Sequence, residues 1–253
     1  MRKLVNFIIG LCLLLLPHPV LSDLTQVIER VKPSIVGIGT FQKMRTPPIN
    51  FLGTGFVVND GLHIVTNAHV IPELLDVAKN ETLVILTGRS NNPEARLAKV
   101  TKLDKEHDLA LLKIDGASLN PLKIGNIENV KEGQMLAFTG FPIGMILGFY
   151  PVTHRAMIAS ITPIILPATN AKQLSEDKIK LLNKTAFKVF QLDGTAYPGN
   201  SGSPLYDPDT GEVYGVVNMV FVKGKKESAL SNPSGISYAI PANFITELLK
   251  HEQ

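Results

Sequence analysis

The sequence predicts an all-β fold with short helices at its N- and C-terminal ends. Short apolar runs of four to eight residues recur along most of the chain, broken by Gly, Asn, Asp and Pro. Twenty glycines and 17 prolines in 253 residues supply the turns that many short strands need. A content of 45% hydrophobic and 19% charged residues is that of a folded domain rather than a disordered chain. At roughly 100 to 200 residues per domain, the length suits one large domain or two small ones.

The first 22 residues read as an export signal. Met1-Arg2-Lys3 is a short basic stretch, and Leu4 to Leu16 is apolar apart from Asn6. Val20-Leu21-Ser22 then fits a signal-peptidase site ahead of Asp23. An apolar run of about 13 residues falls short of the roughly 20 that span a bilayer. An uncleaved membrane anchor is the alternative, and it is the only membrane association the sequence suggests. Leu11 before Cys12 disfavours a lipoprotein, because a small residue belongs there. Cleavage takes Arg2 and Lys3 from the 25 basic residues and leaves 23 against 22 acidic ones, a net +1 that gives no reason to invoke nucleic acid. It also removes Cys12, the one cysteine, and with it disulfides, a cysteine nucleophile and cysteine-bound zinc. An exported protein without disulfides points to a bacterial periplasm, with secretion the broader possibility.

After residue 23 the elements follow in order. Leu24, Val27, Ile28 and Val31 repeat at the spacing of one helix face, and Pro33 stops the helix. Strands are expected at Ser34–Gly39, Gly55–Val58, His63–Thr66, Leu83–Leu86, Leu109–Ile114 and Met135–Phe138. More follow at Ala156–Ile161, Phe187–Phe190, Val213–Val220 and Ile236–Ile240. A dozen or so short strands suit one or two barrels or sandwiches. Ala242 to Lys250 closes the chain as a helix, with Pro241 at its start. Pro167–Lys184, with a helical turn or two around Leu174–Leu182, reads as a surface insertion, and Lys223–Ser234 as a second polar loop.

Three segments each hold one member of a nucleophilic triad. Pro198-Gly199-Asn200-Ser201-Gly202-Ser203-Pro204 flanks a serine with glycines. A serine hydroxyl attacks only when a base takes its proton. A tight turn there would aim the N–H groups of Gly199 and Ser201 at one point as an oxyanion hole, worth roughly 3–4 kcal/mol per donor. Read alone, the segment is a hairpin turn. The base candidate is His69, at the end of the β-branched run Ile64-Val65-Thr66-Asn67-Ala68. Alone it would be a structural histidine. Asp108 stands directly before the apolar strand Leu109-Ala110-Leu111-Leu112, where it can be buried beside an imidazole and fix its tautomer. Asp108 could instead cap the strand, and Asp104 is a competitor that lacks the apolar run right after it.

The joint order carries the argument. His69, Asp108 and Ser201, spaced 39 and 93 residues apart, follow the chain order of chymotrypsin-like enzymes. That order differs from the one in α/β-hydrolases, and the absence of alternating βα units also counts against a lipase or esterase. With cleavage after Ser22, five histidines remain, none in an HExxH arrangement, so no metal and no cofactor is expected.

At these residues the chain resembles the trypsin-like proteases of the HtrA/Deg type. The matching pieces are Gly53-Thr54-Gly55-Phe56-Val57, Thr66-Asn67-Ala68-His69-Val70, Asp108-Leu109-Ala110-Leu111-Leu112-Lys113-Ile114, Pro198-Gly199-Asn200-Ser201-Gly202 and Gly235-Ile236-Ser237-Tyr238-Ala239-Ile240-Pro241. They lie in the family's order and span nearly all of the chain after residue 22. The resemblance implies a chymotrypsin-like double β-barrel, with residues 23–122 as the first half and 123–253 as the second, behind a signal peptide at 1–22. It implies an endopeptidase acting on unfolded or misfolded exported polypeptides, and a trimeric homo-oligomer. By family position, Thr195 lies near the base of the S1 pocket and Asn218, Met219 and Val220 along its wall. No acidic residue matches that base, so small or medium apolar residues are expected there rather than Lys or Arg. Three departures stand out. The chain ends about ten residues after Pro241, without the PDZ domain that usually follows. The Gln42–Asn50 loop is too short for the long inter-subunit arm of some relatives. Pro167–Lys184 falls where the family has a regulatory loop. A protease-like holdase with an unformed oxyanion hole is the alternative reading.

Overall fold

The computed structural model describes residues 23–88, 93–143, 148–163, 187–218 and 235–250. The signal segment with Cys12, the Pro167–Lys184 insertion, the Lys223–Ser234 loop, Met219 and Val220 all lie outside the described residues.

Twelve strands among the described residues close into two antiparallel six-stranded barrels, the double-barrel class expected. The first contains β1 (Ile35–Phe41), β2 (Ile49–Val58), β3 (His63–Asn67), β4 (Thr82–Thr87), β5 (Glu94–Asp104) and β6 (Leu109–Ile114), in the order β1-β2-β3-β6-β5-β4. Closure comes from β1 against β4, with Ile38 opposite Ile85. The second contains β7 (Met135–Gly140), β8 (Val152–Pro163), β9 (Lys188–Asp193), β10 (Pro204–Tyr206), β11 (Val213–Asn218) and β12 (Ile236–Pro241). Its order is β10-β11-β12-β9-β8-β7, closed by β10 against β7. Closure leaves neither sheet an open edge.

Strands buried on both faces send alternate side chains into different clusters. Inside the first barrel, Val36, Ile38, Val57, Ile64, Ile85, Leu112 and their neighbours form one cluster, and Leu136, Phe138, Ile158, Leu192 and Val217 belong to the second barrel's cluster. A third cluster joins the barrels: Phe56, Val65, Leu109 and Leu111 meet Tyr206, Val213, Val216 and Ile240. Each buried side chain of this size contributes roughly 1.5–3 kcal/mol of apolar transfer, so the seam is a strong contact that fixes one barrel on the other.

Each terminal helix crosses to the far barrel. In α1 (Leu24–Val31), capped by the Asp23 carboxylate on the Thr25 N–H at 3.2 Å, Val27 and Val31 are buried beside Gly211 in the β10–β11 turn. In α2 (Asn243–Leu249), Ile245 and Leu248 enter the seam, and Lys102 Nζ on β5 donates to the Leu248 carbonyl at 2.9 Å. The cation at the helix C-terminus satisfies a carbonyl with no partner inside the helix.

Candidate active site

The three predicted segments arrive at the seam from different elements. β3 ends at Asn67, and one turn of 3₁₀ helix, Ala68–Val70, carries His69. The imidazole therefore sits one turn beyond the strand rather than at its last residue. Four residues after β5, Asp108 begins the return into β6 with φ +52°, a left-handed conformation uncommon outside glycine. Three bonds hold it there. The Asp108 carbonyl accepts from the Ala68 N–H at 3.0 Å and from Asn67 Nδ2 at 3.1 Å, and Asp108 Oδ1 accepts from the His69 backbone N–H at 2.8 Å. The second carboxylate oxygen, Oδ2, lies 2.6 Å from His69 Nδ1. With Nδ1 bound to the carboxylate, His69 Nε2 is the ring nitrogen left for other chemistry.

Asp104, the competitor, instead binds its own turn: its Oδ2 is 2.7 Å from His107 Nδ1.

Asn218, at the end of β11 in the second barrel, donates from Nδ2 to Asp108 Oδ2 at 2.6 Å. The side chain expected along a pocket wall thus reaches across the seam to the carboxylate.

Ser201 lies in the turn between Pro198 and β10. Gly199 and Gly202 take φ +101° and +87°, values open to glycine at low cost. A Cβ on Gly202 would stand 2.0 Å from the Thr54 carbonyl and 2.5 Å from Thr66 Oγ1, so the turn is wedged against the first barrel. Thr54 on β2 grips that turn twice. Its N–H donates to the Ser201 carbonyl at 2.9 Å, and its hydroxyl donates to the Gly199 carbonyl at 2.6 Å. The same oxygen accepts from the Phe141 N–H at 3.0 Å. Behind the turn, the Pro198 carbonyl accepts from the Ile143 N–H at 2.6 Å. Three carbonyls of the turn, those of Pro198, Gly199 and Ser201, are thereby engaged, while the N–H groups of Gly199 and Ser201 enter no backbone bond among the described residues.

Thr195 lies just before this turn, half-buried, between two points fixed by Ser237 on β12. Ser237 Oγ accepts from the Ala196 N–H at 2.9 Å and donates to the Gly194 carbonyl at 2.8 Å. A cleft of about 940 Å³ opens beside His69 and Asp108, with Ile71, Pro72, Leu74, Val100 and Leu103 along it. Among the described residues, no three His, Cys, Asp or Glu side chains are arranged to hold a metal.

Three residues were missed as site residues in the sequence: Asn67, Thr54 and, in its contact with Asp108, Asn218. Asn67 and Thr54 fall inside matched segments, but nothing local distinguishes them from ordinary strand polar residues.

The family model described as the trypsin-like peptidase domain matches residues 53–216, from β2 to β11. A probable periplasmic serine endoprotease, DegP-like, from Pseudomonas fluorescens is 28% identical over 266 residues, covering 90% of this chain and 48% of the relative. Protease Do-like 5, chloroplastic, from Arabidopsis thaliana is 29% identical over 238 residues, covering 88% of this chain and 67% of the relative. The chain spans about half the length of most of the curated relatives it matches, 48% in the first case. Among solved structures, the HtrA-type protease AlgW with decapeptide superposes with TM-score 0.64 at 20% identity, over 90% of this chain and 66% of that one. The Rv3671c protease from M. tuberculosis, active form, gives TM-score 0.64 at 22% identity, over 88% and 82%. With the matched region running through both barrels and holding Thr54, His69, Asp108 and Ser201, the chain belongs to the trypsin-like peptidase family, and its sequence is similar to DegP-like serine endoproteases.

Proposed function

We propose that this protein is a serine endopeptidase in which Ser201 is the nucleophile, His69 the general base and Asp108 the group that orients and stabilises His69. Ser201 Oγ attacks the scissile carbonyl carbon and passes its proton to His69 Nε2, forming the C–O bond of a tetrahedral intermediate. The intermediate's oxyanion is met by the N–H groups of Gly199 and Ser201. Collapse breaks the C–N bond, and His69 returns the proton to the leaving amine. Water, activated by the same imidazole, then hydrolyses the acyl-enzyme.

The observation that carries this reading is the Asp108 carboxylate. It meets the His69 ring at 2.6 Å and the Asn218 amide at 2.6 Å, with its backbone in a left-handed conformation. A carboxylate held in that way keeps the proton on Nδ1 and leaves Nε2 as the base.

The substrates proposed are unfolded or misfolded exported polypeptides, in the periplasm or secreted, with the chain beginning at Asp23 after removal of residues 1–22. Its halves are residues 23–122 and 123–253, and it assembles as a trimer. Thr195, Asn218, Met219 and Val220 shape an S1 pocket for small or medium apolar residues, and the cleft beside His69, lined by apolar side chains and by Glu73 and Lys105, offers further room for substrate side chains.

One observation favours a second reading, a holdase that binds unfolded chains with its nucleophile latent: Ser201 Oγ makes no hydrogen bond to a described residue. In resting enzymes such bonds often tighten only when substrate arrives. Incubating the protein and its Ser201→Ala and His69→Ala variants with a loosely folded casein separates the two. Cleavage by the parent alone is expected. Binding without cleavage by all three would favour the holdase.

A further inference from the structure

We propose that His107 is a positioning residue for Asp108, clamped by the C-terminal helix through Phe244; the proposal rests on the protease reading given above. The turn between β5 and β6 has four residues, Lys105 to Asp108, and must deliver the Asp108 carboxylate with its backbone at φ +52°. Ala68 and Asn67 hold the Asp108 carbonyl. Next to Asp108 stands the residue immediately before it, which is held through its backbone N–H, its Nδ1 and its ring.

The His107 N–H donates to Asp104 Oδ1 at 3.0 Å, and His107 Nδ1 lies 2.7 Å from Asp104 Oδ2. Its ring stacks on Phe244 of α2 with centroids 3.8 Å apart and planes 21° from parallel. Phe187, just ahead of β9, meets the same ring edge-on at 4.8 Å and Phe244 at 5.3 Å. α2 is itself anchored, by the buried Ile245 and Leu248 and by Lys102 Nζ on the Leu248 carbonyl at 2.9 Å. Two contacts, Lys102 and His107, thus tie the C-terminal helix to β5 and to the turn that carries Asp108.

A histidine bonded to a carboxylate and packed between aromatic rings occurs elsewhere as a plain stability feature. Here its place in the chain gives it a further consequence. The clamped residue is the immediate chain neighbour of a carboxylate that must hold its two contacts to His69 at 2.6 and 2.8 Å. Productive constellations tolerate about 0.5 Å and 10–20°. A backbone at φ > 0 persists only when its surroundings over-determine it, so loosening the turn at His107 lets the Asp108 carboxylate move off that geometry. The aromatic contact therefore bears on the rate of acylation as well as on folding.

The test uses a serine-directed fluorophosphonate probe, whose maximal rate of inactivation and apparent affinity are read separately. Phe244→Leu keeps the buried apolar volume and removes the stacking face; Asp104→Asn keeps an acceptor for the His107 N–H and removes the charge on its ring. Both should lower the maximal rate of inactivation about tenfold or more, with the apparent affinity within twofold of the parent, and Phe244→Tyr should restore the parent rate. Proton NMR adds a signature independent of turnover: the downfield Nδ1 proton of His69 should shift or broaden in Phe244→Leu and return in Phe244→Tyr. Folded variants that label at the parent rate with an unmoved resonance overturn the clamp alone. If Phe244→Leu does not fold, Asp104→Asn decides by the same two readouts. A parent chain that takes no probe overturns the protease reading, while the NMR comparison still decides whether the clamp holds Asp108.

Discussion

Replacing Thr54 with valine removes one oxygen that two parts of the second barrel depend on. That hydroxyl donates to the Gly199 carbonyl at 2.6 Å and accepts from the Phe141 N–H at 3.0 Å, at a residue with no exposed surface. Valine keeps the shape and leaves the buried Phe141 N–H and the part-buried Gly199 carbonyl without this partner. Each such loss costs about 1–3 kcal/mol, so the variant should lose about 2 kcal/mol or more. At roughly 2–4 °C per kcal/mol for a domain of this size, its melting temperature should fall by about 4 °C or more. Activity should fall further than stability accounts for. The freed Gly199 carbonyl lets the turn rotate, and loss of one oxyanion donor costs on the order of 100-fold in kcat. Thermal unfolding and fluorophosphonate labelling, both measured well below the melting point, separate the two effects, with Thr54→Ser as the control that keeps the hydroxyl. If Thr54→Val melts and labels like Thr54→Ser, the reasoning that couples β2 to the Ser201 turn is wrong.

Other perturbations follow from the same contacts. Asn218→Ala removes the 2.6 Å donor to Asp108 Oδ2; a bond to a charged group is worth about 1.5–3 kcal/mol, so peptidase activity should fall roughly tenfold to 100-fold, measured as kcat on a peptide substrate. Glu81 is held down at a pKa of about 2 by the Thr40 hydroxyl, the Asp76 N–H and Arg45. Its contribution is complete above its ordinary value of 4.5 and disappears as pH falls towards 2. Glu81→Gln should therefore melt lower than the parent at pH 7 and converge with it at pH 2, and a constant difference across that range would refute the assignment. His154 stacks on Phe138, and burial pushes its imidazole below the ordinary 6.5. The folded state favours the neutral ring, so the parent should lose stability as pH falls below 6.5, whereas His154→Phe should show a flatter profile in pH-dependent denaturant titrations.

Strands buried on a pleated face were legible because their apolar runs are continuous: Leu109–Ile114 corresponds to β6 at both ends, and Leu83–Leu86 lies inside β4. β5, Glu94–Asp104, was not legible. It is paired on both sides, yet Leu97, Val100 and Leu103 are exposed and the residues between them are mostly polar, so no apolar run marks it. β10 is three residues long and merges with the Ser201 turn. His69, Asp108 and Ser201 could be singled out as candidates because a nucleophile, a base and a carboxylate each need a particular local frame. The groups that hold them in register could not. Asn218 lies 110 residues from Asp108 in the chain, and Thr54 lies 145 from Gly199. Such contacts depend on how the barrels dock, which no local pattern encodes. His107 shows the same limit: adjacent to Asp108, it takes on meaning only once α2 brings Phe244 onto its ring.

Locating the covalent adduct tests the central claim most directly. The purified protein, labelled with a fluorophosphonate and digested, should yield one modified peptide, with the adduct on Ser201. Labelling should be lost in His69→Ala and in Asp108→Ala variants that remain folded by circular dichroism. An adduct on another side chain, or labelling of Ser201 at the parent rate without His69, would contradict the assignment of Ser201, His69 and Asp108 as one catalytic unit.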